Sequence, residues 1–454
     1  MVQKIHFIAI GGSAMHNLAL ALKNNGHEIT GSDDEIFEPS ASRLAANGLL
    51  PSAFGWFPEK ITSELDAVIL GMHAKADNPE LLKAQELGVP IFSYPEFVYQ
   101  QSINKQRVVI AGSHGKTTIT SMILHVLKYV GKPFDYLVGA KLEGFDTMVQ
   151  FSDAPIIVIE GDEYLSSPID RRPKFAHYHH HIGVISGISW DHINVYPSFE
   201  NYRAQFVDFV EKTPKSGTLI FNSDDNEVTN IAQATKTDDV EYKGYSVHSH
   251  EIKGGITYLI DVEGKKHPIK IFGEHNLLNI SAAAAVVDHL GVEPRDFYKA
   301  IQTFEGAANR LEILAKANGN IVYKDFAHAP SKLAATTKAV SLQHADKKII
   351  ACLELHTFSS LNKEFLAQYR NTYNSPQVAI VYYNPLTLAH KNLAPISENE
   401  IKDAFNNANI QVFTDSNTLK NYLLSLKNDN NIYLLMSSGN FDGLNLKEFA
   451  QELI

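Results

Sequence analysis

The chain has 454 residues, enough for about three domains, with 44% hydrophobic and 20% charged residues, the balance of a soluble globular enzyme. No apolar run is long enough to span a bilayer, and a net charge of −11 argues against a general grip on nucleic acid. Cys352 is the only cysteine, so no internal disulfide exists; with no signal-peptide layout in Met1–Phe7, a cytoplasmic location is expected.

Lys4–Ile10 reads as a strand and Met15–Asn24 as a helix; a second strand, His27–Thr30, ends at Gly31-Ser32-Asp33. Ala67–Leu70 is another strand, followed by the loop Gly71–Asn78, a helix from Pro79 and a strand Val89–Phe92. Together they predict a Rossmann-like unit over residues 1–105. Its first loop, Ala9-Ile10-Gly11-Gly12-Ser13-Ala14, lacks the full G-x-G-x-x-G pattern, so alone it is weak support for nucleotide binding. Asp33 closes the second strand, where a carboxylate can meet a ribose hydroxyl or act as a plain turn residue.

A second domain is expected over 106–309. The strand Arg107–Ile110 runs into Ala111-Gly112-Ser113-His114-Gly115-Lys116-Thr117-Thr118 and then a helical pattern, Ile119–Tyr129. Strand, glycine loop, Lys-Thr and helix make a phosphate cradle, because successive backbone N–H groups and a helix N-terminus face the anion. Gly112 and Gly115 let the backbone approach the phosphates. Lys116 would reach the outer phosphates, and the Thr117 hydroxyl would ligate Mg²⁺. The strand Pro155–Ile159 ends at Glu160-Gly161-Asp162-Glu163, placing a carboxylate where it can meet Mg²⁺ or a bound water. The strand Gly183–Ile188 leads to Trp190-Asp191-His192, although magnesium ordinarily prefers oxygen to imidazole. Residues 240–272 resemble a β meander, and Ile280–Leu290 a helix. Asn276 could read adenine through its amide, or Asn276 and Asn279 could simply cap that helix. The run His177-Tyr178-His179-His180-His181 does not predict a metal site, because neighbours on a strand face opposite ways.

In the third domain, 310–454, the strands Ile321–Tyr323, Lys348–Leu353, Gln377–Tyr382 and Ile432–Met436 alternate with helical stretches. The predicted fold class is therefore α/β in three domains: Rossmann-like, central P-loop ATP-binding, and a C-terminal Rossmann-like domain.

As a set, Gly112–Thr118, Glu160–Glu163, Asp191-His192, Gly273–Asn279, Arg310-Leu311-Glu312 and Asp325-Phe326-Ala327-His328 resemble the Mur ligases, ATP-dependent amide-bond ligases of cell-wall synthesis. The resemblance covers nearly the whole chain. It implies that Gly112–Thr118 hold ATP, with Lys116, Glu160 and His192 as catalytic residues and Thr117, Glu160 and His192 serving Mg²⁺. Asn276 would face adenine, Arg310 the phosphates and Asp325 the ATP ribose. Gly11, Gly12, Ser13, Ala14 and Met15 would hold a UDP moiety, with Asp33, His73 and His328 as further substrate contacts.

Within the family the muramate-type branch is most similar, through Ile10–Met15. Asp170–Tyr178, the loop Gly71–Pro79, Leu353-Glu354 and Met436–Gly443 resemble its members that join UDP-N-acetylmuramate to the tripeptide L-alanyl-γ-D-glutamyl-meso-diaminopimelate. The alternative is addition of free L-alanine to the same sugar nucleotide. Asn309, Ala329 and Gly187 depart from the family pattern, which keeps a non-catalytic nucleotide-sugar binder as a remote alternative. The incomplete first glycine loop counts against a dinucleotide oxidoreductase. The expected partners are UDP-N-acetylmuramate and a murein tripeptide, with no nucleic acid or membrane partner, in a monomer or weak homodimer.

Overall fold

The computed structural model describes residues 2–142, 144–190, 195–306 and 311–454. Internal contacts divide the chain into two compact units, Met1–Ser246 with Asn279–Ile301 and Val247–Leu278 with Gln302–Ile454.

The first unit contains two sheet layers, parallel except for one antiparallel edge strand, Val149–Gln150. β1 (Lys4–Ile8), β2 (Glu28–Ser32), β3 (Ala67–Leu70) and β4 (Ile91–Ser93) pair in the order β2-β1-β3-β4, all parallel. Parallel strands joined by helices must be covered on both faces. Accordingly β1 and β3 are almost wholly buried, with Phe7, Ile69 and Leu18 in one core and Ile8, Val68 and Leu81 in another. The first strand stops two residues short of the Ile10 expected from apolarity. Ala9 turns into the left-handed region (φ 67°), and its N–H and that of Ile10 both donate to the Ser32 carbonyl.

The second layer holds β5 (Gln106–Ala111), β6 (Asp135–Leu137), β7 (Val149–Gln150), β8 (Ile156–Glu160), β9 (Ile182–Ile185), β10 (Thr218–Asn222) and β11 (Glu241–Tyr245) in the order β11-β10-β9-β5-β8-β6-β7. The expected meander over 240–272 is corrected at its start. Residues 241–245 extend this sheet, parallel to β10 in the register Thr218↔Glu241, and Gly244 packs its bare face against Phe221.

The second unit carries β12 (His250–Lys253), β13 (Ile256–Ile260) and β14 (Lys266–Ile269), which do form an antiparallel meander. Thr257 reaches Gln343, whose amide donates to the Gly255 carbonyl at 2.6 Å. The remaining strands are β15 (Glu312–Ala317), β16 (Asn320–Asp325), β17 (Lys348–Glu354), β18 (Val378–Tyr382), β19 (Gln411–Phe413) and β20 (Asn431–Met436). Their order is β15-β16-β20-β17-β18-β19, with β15 antiparallel and the rest parallel. Ile350, Cys352, Tyr433 and Leu435 fill one face, packed by Phe449 and Leu453 of the last helix. No helix among the described residues is long and apolar enough to cross a membrane.

Candidate active site

β5 and β8 are neighbours in the middle of the seven-stranded sheet, and their carboxyl ends carry the chemistry. The loop after β5 starts the helix Lys116–Tyr129, whose apolar residues Ile119, Met122, Ile123 and Val126 are buried against the sheet. Two glycines shape the loop. Gly112 (φ 125°) lies so close to Ser186, and Gly115 (φ 75°) to Asn279, that a Cβ at either would collide. These are the backbone conformations and close approaches that only glycine tolerates. Ser113 is pinned by Tyr202, whose hydroxyl lies 2.8 Å from Oγ, and by the Ser189 N–H at 2.8 Å. The His114 carbonyl accepts the Ser186 hydroxyl. Thr118, the third residue of the helix, is buried.

Lys116 Nζ donates to the Gly112 carbonyl at 2.6 Å and to Glu163 Oε2 at 2.6 Å. Burial alone would lower its ammonium pKa, but the carboxylates of Glu163, Asp162 and Glu160 outweigh burial and hold it above the ordinary value. The Thr117 hydroxyl donates to Glu160 Oε1 at 2.8 Å, and the Gly139 N–H donates to the other oxygen at 2.7 Å. Gly139 has to lack a side chain, since its Cβ would lie 2.8 Å from Glu160 Oε1. Burial pushes the Glu160 carboxyl up, against the opposing pull of the Gly139 N–H, the Thr117 hydroxyl and Lys116. A buried carboxylate beside a hydroxyl at the mouth of a phosphate loop is a hard-oxygen donor pair, the kind Mg²⁺ takes. The Thr117–Glu160 pair therefore fits that ion. Loop, cation and carboxylate come together as expected for Gly112–Thr118 and Glu160. His192 and Arg310 lie outside the described residues.

Three participants had no clear sequence signal. In the sequence Glu163 is one member of an acidic run, yet it is the partner of Lys116. Tyr202 sits inside a helix with nothing to mark it. Asn279 is no cap: it lies inside the helix Glu274–His289, buried, with its amide against Gly115. Asn276 does not accept as a cap either: its amide donates to the Phe272 carbonyl one turn back, at 2.8 Å.

The first glycine loop is furnished differently. Gly11 N–H donates to Asp33 Oδ2 at 2.7 Å, and a Cβ on Gly11 would press on Asp33 and Ile36. Burial raises the Asp33 carboxyl to about 6 against the Gly11 hydrogen bond. Gly12 precedes the helix Ser13–Asn24, with Ala14 and Met15 in its first turn. His73 is exposed in the turn after β3.

In the second unit, Asp325 ends β16 and accepts N–H groups from Leu311 and Ala327, each at 2.8 Å. His328 Nδ1 lies 2.8 Å from the Phe326 carbonyl, and its own carbonyl accepts the Tyr369 hydroxyl. The histidine run lies in a 3₁₀ turn (Lys174–His177) and the loop before β9 rather than on a strand, yet its side chains still diverge. His179 rests on Tyr99, His180 stacks on Phe209 and His181 receives the Arg107 N–H. His177 does meet Asp170 and Glu96, one donor atom from each lying within 4.8 Å of the others. Arg172 bonds that same Asp170 at 2.6 Å and lies 3.8 Å from Glu96, so the cluster already has a cation of the chain's own.

Two family models match the sequence, "Mur ligase family, catalytic domain" over residues 4–105 and "Mur ligase middle domain" over 110–287. A UDP-N-acetylmuramate–L-alanine ligase from Sulfurihydrogenibium sp. is 32% identical over 388 residues, 84% of this chain and 82% of that protein. The chain belongs to the Mur ligase family. It is accordingly an ATP-dependent ligase that forms C–N bonds, built on the three-domain α/β fold of the Mur ligases. Among solved structures, the UDP-N-acetylmuramate:L-alanyl-γ-D-glutamyl-meso-diaminopimelate ligase of Neisseria meningitides is 26% identical, with a TM-score of 0.60. That match covers 67% of this chain and 98% of the other. The UDP-N-acetylmuramate–alanine ligase of Thermotoga maritima shares the fold at 20% identity, with a TM-score of 0.69 and 97% of each chain covered. The curated relatives carry the L-alanine name, which favours the alternative reading of the sequence over the tripeptide one.

Proposed function

We propose that this Mur ligase joins the lactyl carboxylate of UDP-N-acetylmuramate to the amine of an L-alanine, through an acyl phosphate made at the expense of ATP. The carrying observation is the Lys116–Gly112–Glu163 cluster beside the Thr117–Glu160 pair at the carboxyl ends of β5 and β8. Free L-alanine is the first reading of the acceptor, supported by the names of the sequence relatives. The tripeptide L-alanyl-γ-D-glutamyl-meso-diaminopimelate is the second, supported by the Asp170–Tyr178 and Leu353-Glu354 resemblance and by the Neisseria structure.

Phosphoryl transfer asks a protein mainly for positioning and charge stabilisation. Lys116 is charged, partly exposed and able to exchange the Glu163 carboxylate for phosphate oxygens. The loop N–H groups after Gly112 face the same anion. Thr117 and Glu160 would hold Mg²⁺, with His192 as a further ligand; the ion would neutralise charge on the transferring phosphoryl group. In this reading Gly11, Gly12, Ser13, Ala14 and Met15 bind UDP, with Asp33 and His73 nearby in the same unit. Asn276, Arg310 and Asp325 serve ATP, and His328 the substrate. The functional divisions are residues 1–105, 106–309 and 310–454.

Phosphate release with ATP, Mg²⁺ and UDP-N-acetylmuramate tests this, with either L-alanine or the tripeptide added. Turnover with L-alanine alone establishes the first reading, and turnover with the tripeptide alone the second. No acceptor-dependent release with either overturns the proposal.

A further inference from the structure

Asp162 and Glu163 follow one another after β8, and each holds a lysine. Glu163 takes Lys116 of the phosphate loop, whereas Asp162 Oδ2 lies 2.5 Å from Lys174 Nζ. Lys174 sits in a strap that leaves β8 at Tyr164 and folds back on it. Leu165 bridges Pro173, and the Ser166 N–H and hydroxyl both donate to the Arg172 carbonyl, at 3.0 and 2.7 Å. The Lys174 N–H donates to the Tyr164 carbonyl at 3.0 Å, and the Phe175 N–H to the Asp162 carbonyl at 3.2 Å. The Phe175 ring is buried against Phe206 and Phe209. The backbone under Lys174 is thus fixed on both sides. Its side chain is 20% exposed and that of Asp162 39%, so a ligand can reach the pair.

The strap also meets the first sheet layer. Arg172 lies 3.8 Å from Glu96 of the helix Tyr94–Ser102, which follows β4, and Tyr99 of that helix rests on His179. Tyr94 at the start of the helix is buried, and burial together with the carboxylates of Asp162 and Glu160 raises its phenol. Against burial, Asp162 joins Glu163 in keeping the Lys116 ammonium charged. Lys174 therefore stands at the seam between the layer that carries the first glycine loop and the edge that carries the phosphate loop. All of these groups belong to one compact unit. A carboxylate held by the first loop and attacking a phosphate at the second has to cross that seam. Two anions repel as they approach, the more so away from bulk water. A fixed ammonium beside the carboxylate offsets that repulsion and orients the attacking oxygen.

We propose that Lys174 binds the lactyl carboxylate of UDP-N-acetylmuramate and holds it beside the phosphate loop, an inference that rests on the ligase reading above. The ammonium leaves Asp162 for the substrate's carboxylate, as Lys116 leaves Glu163 for phosphate oxygens. Asp162 is the more exposed of the two carboxylates, so water takes the place of its lysine. A carboxylate oxygen then bonds to the γ-phosphorus of ATP. The bond from that phosphorus to the bridging oxygen breaks, and ADP leaves with its electrons. Lys174 keeps its proton throughout and acts by charge and position.

The test uses two sugar nucleotides that differ at this group, UDP-N-acetylmuramate and UDP-N-acetylglucosamine, which lacks the lactyl carboxylate. Each is titrated by calorimetry into wild type, Lys174→Met and Lys174→Gln, with Mg²⁺ and a non-hydrolysable ATP analogue present. Methionine removes the cation; glutamine removes it too but can still donate to Asp162 and so keeps the strap tied. In both variants the Kd for UDP-N-acetylmuramate should rise about tenfold or more, the loss of a charge-assisted hydrogen bond, with that for UDP-N-acetylglucosamine within about twofold of wild type. Retained affinity for the ATP analogue shows that the variants are folded. Equal weakening of both sugar nucleotides, or weakening of neither, overturns the role of Lys174. A wild type that binds the two equally also overturns it, since no carboxylate is then read. A wild type that binds neither instead overturns the ligase reading beneath it.

Discussion

The two glycine loops of the first unit begin alike and end differently. Each follows a buried parallel strand and opens a helix, Ser13–Asn24 in one case and Lys116–Tyr129 in the other. After β5 the loop has a lysine, a threonine and a carboxylate from the neighbouring strand. After β1 the carboxylate of Asp33 itself takes the Gly11 N–H, and the loop contributes no cation. A helix N-terminus alone offers partial charge. A full lysine charge next to a buried carboxylate can manage a transferring phosphoryl group. Under the proposed function, the first loop would hold the diphosphate of UDP and the second would serve reaction at a triphosphate.

Removing the cation tests that contrast most severely. Lys116→Ala should lower turnover about 10³-fold or more while the far-UV circular dichroism stays native; an active, folded variant would sink the assignment. Next comes Glu160→Gln. Burial raises this carboxyl, so the ionised form destabilises the ligand-free fold at neutral pH. The amide should therefore match or exceed wild type in thermal midpoint without nucleotide, yet lose about 10²-fold in Mg²⁺-dependent turnover. A lower midpoint would mean that the carboxylate is structural.

Gly115→Ala probes the backbone. A left-handed alanine costs about 1–3 kcal/mol, and its Cβ would displace Asn279, so urea unfolding should shift to lower concentration. The smallest effect belongs to the first loop. The Asp33 pKa stands at about 6 against an ordinary 3.8. A raised carboxyl contributes stability that is whole below its unfolded value and fades as pH climbs through the folded one. Relative to wild type, Asp33→Asn should gain stability between about pH 4 and 7, read as the difference in thermal midpoint at the two ends. A constant difference would show that Asp33 titrates normally. The same variant should weaken UDP-N-acetylmuramate binding and leave ATP binding unchanged, which would confirm the division of labour between the loops.

Much of the fold could be read from runs of residues. Arg107–Ile110, Ala67–Leu70 and Lys348–Leu353 are apolar enough to announce buried parallel strands, and Gly112-x-x-Gly115-Lys116-Thr117 announces its loop. Misreadings arose where a pattern supported two structures. Residues 241–245 alternate like a hairpin strand, yet they extend a parallel sheet because β10 offers a free edge. Asn279 looks like a cap by its neighbours and is a packing partner by its position.

Contiguous residues carried the strand–loop–helix units, the phosphate cradle and the family, because a βα turn is closed by groups a few positions apart. Pairings between distant residues were decided by the packed sheets. Lys116 and Glu163 are 47 residues apart, Ser113 and Tyr202 89, and Glu354 and the Phe441 N–H 87. Each pair forms because parallel strands bring their carboxyl ends to one edge, or because a helix buries one face against the sheet. Neither periodicity nor spacing along the chain records which of many polar side chains will arrive there. Burial then sets the charge states, raising Glu160 and Asp33 and leaving Lys116 charged beside its carboxylates, since low polarisability around a group depends on what surrounds it in three dimensions.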